Sequence, residues 1–397
     1  MAIKPLKLSS YTLTNALGAG LQASLTALQS ERSGLSTCNF DECDLSTYIG
    51  RVDGLEQVEV PAQLQEYSCR NNKLTLLGLE QDGFVEQVRQ ASERYGAHRV
   101  GVFLGTSTSG IQETELAFRH MNPHTQHFPN DYHYLDTHNV FSLVNFTQRY
   151  LNLKGPAHAV STACSSSSKV FASAWRHITS GYCDAAVVGG VDSLCLTTLY
   201  GFNSLQLVSE QPCRPWDAQR NGINIGEGAG FALLEPAAEG EACLAMLGYG
   251  ESSDAYHMST PHPEGRGAIQ AIQQALNTAG LNPDAIDYIN LHGTGTRSND
   301  SAEDKAVVSV FGKKTPCSST KGWTGHTLGA AGITEVVFGC LAIEHDFMPI
   351  SLNTEEIDPD TSANIVQQSQ QRNVKTILSN SFGFGGSNCS LVIGRTE

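Results

Sequence analysis

The sequence predicts an α/β fold in which one unit occurs twice. Short apolar runs end in turns of small, hydroxylated or glycine residues, helix-like stretches separate them, and three such segments recur in the same order in the second half. "RVGVFLGTSTSG" (99–110) is matched by "IDYINLHGTGT" (286–296). Each follows a helix-like stretch, "FVEQVRQASERYG" (84–96) and "GAIQAIQQALNTAG" (267–280). "HAVSTACSSSSKVFASAW" (158–175) is matched by "PCSSTKGWTGHTLGAAGITEVVFGCLA" (316–342), both running from a strand into a helix rich in Ala, Gly and Ser. "DAAVVGGVDSLC" (184–195) is matched by "KTILSNSFGFGG" (375–386), each an apolar strand entering a glycine turn. Strand, helix, strand, twice over, reads as a duplicated unit with buried strands. The break falls near 236–250, so the expected halves are residues 1–240 and 241–397.

Composition bounds the function. A chain of 397 residues exceeds one simple core. Its 40% hydrophobic and 16% charged content suits a globular protein and not a disordered one. The net charge of −15 argues against coating nucleic acid, where affinity comes from neutralising phosphates. It leaves an acidic protein partner open, because docking depends on local patches. The 11 cysteines are odd in number, irregularly spaced and without a CxxC pair, which argues against a disulfide framework and structural zinc. They read as reduced, small core residues of a cytosolic protein. The segment "ALGAGLQASLTAL" follows Lys4 and Lys7 as a secretion signal does, but Asn15, Gln22, Ser24 and Thr26 interrupt it, so a strand, a turn and a helix start are expected. No run of about 18 apolar residues exists to span a membrane.

Cys164 lies where an apolar run meets a helix. Helix N-termini present unpaired N–H groups and partial positive charge, which favour thiolate over thiol. Ala163, Ser165 and Ser166 are small enough to admit a substrate. A cysteine at such a place is often only a core residue. Two histidines at the matching junctions of the second half, His292 in "LHGTGT" and His326 in "TGHTLGAAG", favour chemistry instead. Sites in open α/β sheets gather beyond the carboxyl ends of strands. A Cys/His/His set there supports acyl transfer: the sulfur attacks, and the imidazoles move protons or stabilise an oxyanion.

Five motifs in order, "STACSSSS", "RPWDAQRNGINIGEGAG" (214–230), "HGTGTRSND" (292–300), "KGWTGHTLGAAG" (321–332) and "SNSFGFGGSN" (379–388), resemble the β-ketoacyl-acyl-carrier-protein synthases of the thiolase superfamily over nearly the whole chain. The resemblance implies a thiolase-type, five-layered α/β/α/β/α sandwich of two duplicated halves. It also implies an acyltransferase that condenses an acyl thioester with malonyl-carrier protein, releasing carbon dioxide, without cofactor or metal. By the same resemblance Cys164 accepts the acyl chain, and His292 and His326 drive decarboxylation and hold the enolate. Lys321 supports the site electrostatically, with Glu303 as its carboxylate partner. Thr294 and Thr296 hold the pantetheine arm. Phe384 gates the nucleophile, and its N–H joins that of Cys164 in the oxyanion hole. The expected partners are an acyl carrier protein and a second thiolase-fold subunit, identical or homologous.

The chain departs from the usual "RPFDxxRDGF" at Asn221 and Ile223, and "TACSSSSK" is more hydroxylated than the common form. These changes remove no catalytic group and point towards a specialised type II pathway, such as a polyene route, over housekeeping fatty-acid elongation. Two alternatives remain. A CoA-dependent thiolase would carry a second cysteine where Phe384 stands. A chain-length-factor-like partner subunit would have lost the nucleophile.

Other motifs read more plainly. "GEGAG" (226–230) and the glycines near 381–386 lack the strand, helix and acid of a dinucleotide fingerprint. His120, His124, His127, His133 and His138 fit no metal-ligand spacing and read as a surface or capping loop that could shape a tunnel or interface. Arg70 and Lys73 form either a solvated basic turn or a contact for the acidic carrier protein. The apolar strand 184–190 suits a place near a dimer interface or at the centre of one subunit.

Overall fold

The computed structural model describes residues 2–396. In the first half, strands β1 (Leu6–Asn15), β2 (Val100–Gly105), β3 (Ala157–Val160), β4 (Ala185–Asp192) and β5 (Gly228–Pro236) form a sheet in the order β3-β2-β4-β5-β1. Besides Leu21–Gln29 and Ser142–Tyr150, its helices include α1 (Arg70–Leu79), α2 (Phe84–Tyr95), α3 (Ile111–Arg119), α4 (Ser166–Thr179) and α5 (Leu196–Ser204). The second half supplies β6 (Leu244–Ser253), β7 (Tyr288–Asn290), β8 (Pro316–Ser318), β9 (Thr376–Gly383) and β10 (Ser387–Arg395), in the order β8-β7-β9-β10-β6. Adding five to each strand number of the first sheet gives the second. Pairing repeats too: β2 lies parallel to β3 and β4, as β7 does to β8 and β9, and the remaining contacts in each half are antiparallel. The sheets meet where Leu6 faces Met246 and Lys7 faces Ala245.

Helices α6 (Arg266–Ala279), α7 (Arg297–Phe311) and α8 (Ala331–Glu344) complete the layers. Equivalent helices α4 and α8 lie between the sheets, with α1 and α2 outside the first and α6 and α7 outside the second. This is the five-layered thiolase-type sandwich. The sequence of α8 explains its central place: Ala331 to Ile343 are all buried, as expected of a helix apolar on every side. Separate apolar clusters fill the spaces between layers. Phe171, Val188, Ile333 and Ile377 lie between the sheets, Val102 and Val88 outside the first, and Ile272 and Leu378 outside the second.

The two central helices touch through small residues. A Cβ at Gly332 would lie 2.0 Å from Ser168 Oγ and 2.9 Å from its backbone nitrogen, so the approach requires glycine. Gly332→Val is expected to lower stability by about 1–3 kcal/mol, the usual cost of overpacking, measured by denaturant unfolding; an unchanged midpoint would contradict this crossing.

Strand β4 is central, between β2 and β5, with every residue buried. The expectation that strand 184–190 lies near a subunit interface is therefore corrected: its low charge reflects burial on both faces. The open edge of the first sheet is β3, where His158 is exposed. The 118–141 segment exposes Phe118, Phe128, Tyr134, Leu135, Val140 and Phe141. The loop histidines belong to this surface, with His138 bonded through Nδ1 to Thr114 Oγ1 at 2.5 Å. All 11 cysteines are free, and no helix among the described residues is long and apolar enough to cross a membrane.

Candidate active site

Strand ends of both halves converge on Cys164. The thiol follows Ala163, whose φ of +52° makes a tight turn before α4. His326 Nε2 lies 3.0 Å from its sulfur. The His292 ring stands nearly perpendicular to that of His326, with centroids 5.3 Å apart. Cys164, His292 and His326 are all buried and line one cleft, together with Thr294, Thr296, Phe202, Ile223, Phe382 and Phe384.

Each histidine is held by its backbone and by its inner ring nitrogen. The His326 N–H donates to Asn224 O at 2.7 Å, and its carbonyl accepts from Gly226 N at 3.0 Å, so the 214–230 motif serves as a rail for the histidine of the other half. The Leu328 N–H donates to His326 Nδ1 at 3.2 Å. For His292, the backbone N–H groups of His292 and Gly293 donate to Glu303, each at 2.8 Å. Lys321 Nζ donates to the His292 carbonyl and faces its Nδ1 at 3.4 Å. Both Nδ1 atoms thus accept, and a neutral imidazole must then carry its proton on Nε2, the nitrogen turned to the cleft. Burial, then Lys321, hold both histidines well below their ordinary pKa, so both are neutral.

Lys321 is buried and its ion pair is with Glu335, not Glu303, which corrects the pairing expected from sequence. Glu303 is occupied by the His292–Gly293 turn and by Asn380 Nδ2 at 3.2 Å. Burial raises its carboxyl to about 7, against the pull of the Gly293 and His292 N–H groups. Burial also raises Glu335, and Lys321 draws it back down. Glu335 was legible as the lone charge in the apolar stretch "AAGITEVVFG".

The thiol differs from expectation. Burial pushes Cys164 up to about 11, while Lys321 and the Phe384 N–H pull in the opposite direction. The helix N-terminus does not prevail because its amides are spent locally: Ser166 N donates to Ala163 O at 3.1 Å and Ser168 N to Ser165 O at 3.2 Å. Since the folded pKa is raised, the neutral thiol dominates at pH 7 and thiolate accumulates only as pH rises towards that value. Iodoacetamide alkylation of Cys164 should therefore climb about tenfold per pH unit from 7 to 10. A plateau near neutrality would contradict a buried thiol.

Phe384 is half-buried and packs at a tilt against Phe202, with centroids 5.4 Å apart. Thr294 Oγ1 and Thr296 Oγ1 are 2.9 Å apart, and Thr296 caps α7 by accepting from Asn299 N at 3.4 Å. Arg70 and Lys73 do not line the cleft. Arg70 is buried, bonded to Glu227 Oε2 at 2.8 Å and to Glu56 Oε1 at 2.8 Å, so its proposed docking role is withdrawn. Lys73 is half-buried beside a groove containing Asp41 and Glu113.

The ligand atoms of Cys164, His292 and His326 lie within 4.8 Å of one another, the one such trio among the described residues. They do not suit a metal. A ligating histidine normally donates its outer N–H to an acceptor, whereas both Nδ1 atoms here face donors and leave no lone pair on Nε2.

Residues 73–240 match the family "Beta-ketoacyl synthase, N-terminal domain" and residues 244–355 match "Beta-ketoacyl synthase, C-terminal domain". The 3-oxoacyl-[acyl-carrier-protein] synthase 2 of Staphylococcus aureus is 33% identical over 321 residues, 76% of each chain. This chain belongs to the β-ketoacyl synthase family. The corresponding synthase 2 of Rhizobium meliloti is 40% identical over 260 residues, which is 61% of this chain and 62% of that protein. The chain thus spans about three fifths of that relative's length. Among solved structures, a chain of the complex of the ketosynthase ApeO with its chain length factor ApeC from Xenorhabdus doucetiae is 38% identical with a TM-score of 0.90 over 99% of this chain and 98% of that one.

Proposed function

We propose that this family member is an active condensing enzyme, a β-ketoacyl-carrier-protein synthase. The observation that carries the reading is the buried Cys164 sulfur 3.0 Å from His326 Nε2, with His292 on the same cleft and donors facing both inner ring nitrogens. Two N–H donors beside a nucleophile suit a reaction that develops negative oxygen.

In loading, the Cys164 sulfur attacks the thioester carbonyl of an acyl carrier. The Cys164 and Phe384 N–H groups receive the oxyanion, the bond to the pantetheine sulfur breaks, and the thiol proton leaves on that sulfur. In condensation, Thr294 and Thr296 hold the pantetheine arm of a malonyl carrier. Its carboxylate departs as carbon dioxide, and the Nε2–H groups of His292 and His326 hold the enolate oxygen. The enolate carbon then attacks the acyl carbonyl, expelling the Cys164 sulfur, which regains a proton, and the chain is two carbons longer. Lys321 keeps His292 Nδ1 an acceptor; Glu303 holds the His292 turn.

The two halves, 1–240 and 241–397, divide this work: the first brings the nucleophile and the second the imidazoles. We place the reaction in the cytoplasm, where a reducing environment suits 11 free thiols. The pathway is either fatty-acid or specialised type II synthesis. Likeness to a ketosynthase–chain length factor complex favours the specialised route, where unequal pairs occur, as does Ile223 lining the cleft. The same likeness favours a second thiolase-fold subunit, homologous if not identical, on the apolar 118–141 face. Incubation with acyl- and malonyl-loaded carrier protein should yield β-ketoacyl carrier by mass spectrometry, alone or with a co-expressed homologue. No product under either condition would refute the function.

A further inference from the structure

We infer that Asp192 is a positioning residue for His326: from the other half of the chain, its carboxylate fixes the turn that dictates which imidazole nitrogen carries the proton. The inference deepens the proposed function and rests on that reading of His326.

Asp192 ends β4 and is fully buried, yet no cation among the described residues pairs with it. Its oxygens instead accept from Thr106 Oγ1 at 2.6 Å, Ser107 N at 2.8 Å, Thr108 N at 2.9 Å, Thr108 Oγ1 at 2.9 Å and the Ser107 hydroxyl. A sixth donor comes from the second half, Gly329 N at 2.5 Å. Five of these donors belong to the turn after β2; the sixth lies three residues beyond His326.

The Gly329 contact has a consequence for the imidazole. Leu328 sits in the left-handed region at φ +52°, a conformation that costs a leucine about 1 kcal/mol or more and persists only where surroundings impose it. That conformation turns the next N–H, of Gly329, to Asp192 while the Leu328 N–H stays on His326 Nδ1. Asp192 grips the next residue so closely that a Cβ on Gly329 would lie 2.7 Å from Asp192 Oδ2. The carboxylate therefore holds the strained turn, the turn keeps Nδ1 an acceptor, and the proton stays on Nε2, facing Cys164. An asparagine has one oxygen where two are used, and its NH₂ would confront N–H donors.

The test uses the full chain labelled with ¹⁵N-histidine, with His326→Gln identifying the His326 signals. Long-range ¹H–¹⁵N spectra distinguish a lone-pair nitrogen from a protonated one. In the wild type Nε2 should be protonated. In Asp192→Asn the proton should shift towards Nδ1. Malonyl-carrier decarboxylation should fall about 10²-fold, the scale of a misplaced catalytic group, while iodoacetamide still labels Cys164 at the wild-type rate or faster. A His326 that keeps its proton on Nε2 in Asp192→Asn overturns the inference. Should that variant fail to fold, Ser107→Ala keeps the carboxylate but removes the hydroxyl that also receives Gly329 N at 3.2 Å. A partial shift of the same sign is expected there, and an unchanged tautomer overturns the inference. A wild type that decarboxylates no malonyl carrier would refute the function instead, and the tautomer result stands apart from it.

Discussion

His292→Ala should still load an acyl group on Cys164 and should lose carbon dioxide release by about 10²–10³-fold, the usual effect of removing one oxyanion donor. The asymmetry follows from the geometry. In the proposed mechanism, loading relies on the Cys164 and Phe384 N–H groups and needs no imidazole proton. The enolate oxygen needs the Nε2–H that Lys321 secures by occupying the face of Nδ1. The His292 ring also packs against Phe382, with centroids 6.0 Å apart, so alanine leaves a cavity in the cleft wall. His292→Gln, which restores an N–H near the same place, should recover part of the rate. Release of ¹⁴C-carbon dioxide from malonyl carrier, measured beside acyl loading in the same preparation, checks both halves. Equal loss of loading and decarboxylation would contradict the division of labour.

Lys321→Ala is expected to damage the protein in two ways. Removing one member of a buried ion pair typically costs about 3–5 kcal/mol, because the other charge stays buried. Glu335 would be that charge, since its bond to Lys321 is what draws its raised carboxyl back down. A carboxyl raised above its unfolded value binds more protons folded than unfolded, so stability falls as pH rises. The variant should be nearest wild-type stability below the unfolded carboxyl pKa of 4.5 and lose ground as pH climbs from there. Chemical unfolding at pH 5 and pH 8 reads this directly. The second loss is catalytic, because His292 Nδ1 is freed to take a proton. Lys321→Ala with Glu335→Gln should recover stability but not decarboxylation; recovery of both would show that the lysine acts through folding alone.

The repeated rhythm of apolar run, glycine turn and small-residue helix made the duplicated layers legible, because buried strands and a buried central helix have few ways to be written. Cys164 and the two histidines were legible as neighbours for a related reason: each follows a strand in one of the matching segments. What the sequence hid was pairing across the fold. The family resemblance made Glu303 the expected partner of Lys321, yet the chain turns its carboxylate to two backbone amides, while Glu335 reaches the lysine from α8. Arg70 looked like a solvated charge because the sequence does not show Glu227, 157 residues away, waiting to bind it. Strand 184–190 looked like interface or centre alike, since low charge suits both, and only its neighbours β2 and β5 resolve the choice. The raised Cys164 pKa was missed because a helix start is visible in sequence whereas the local use of its amides is not.

The central claim is that Cys164 carries the growing chain. Wild-type protein incubated with acyl-loaded carrier, digested and analysed by tandem mass spectrometry, should show the acyl mass on the peptide containing Cys164 and on none of the other ten cysteines. Cys164→Ala should show no acyl mass and form no β-ketoacyl product. Acyl label on another cysteine, with Cys164→Ala still condensing, would contradict the account.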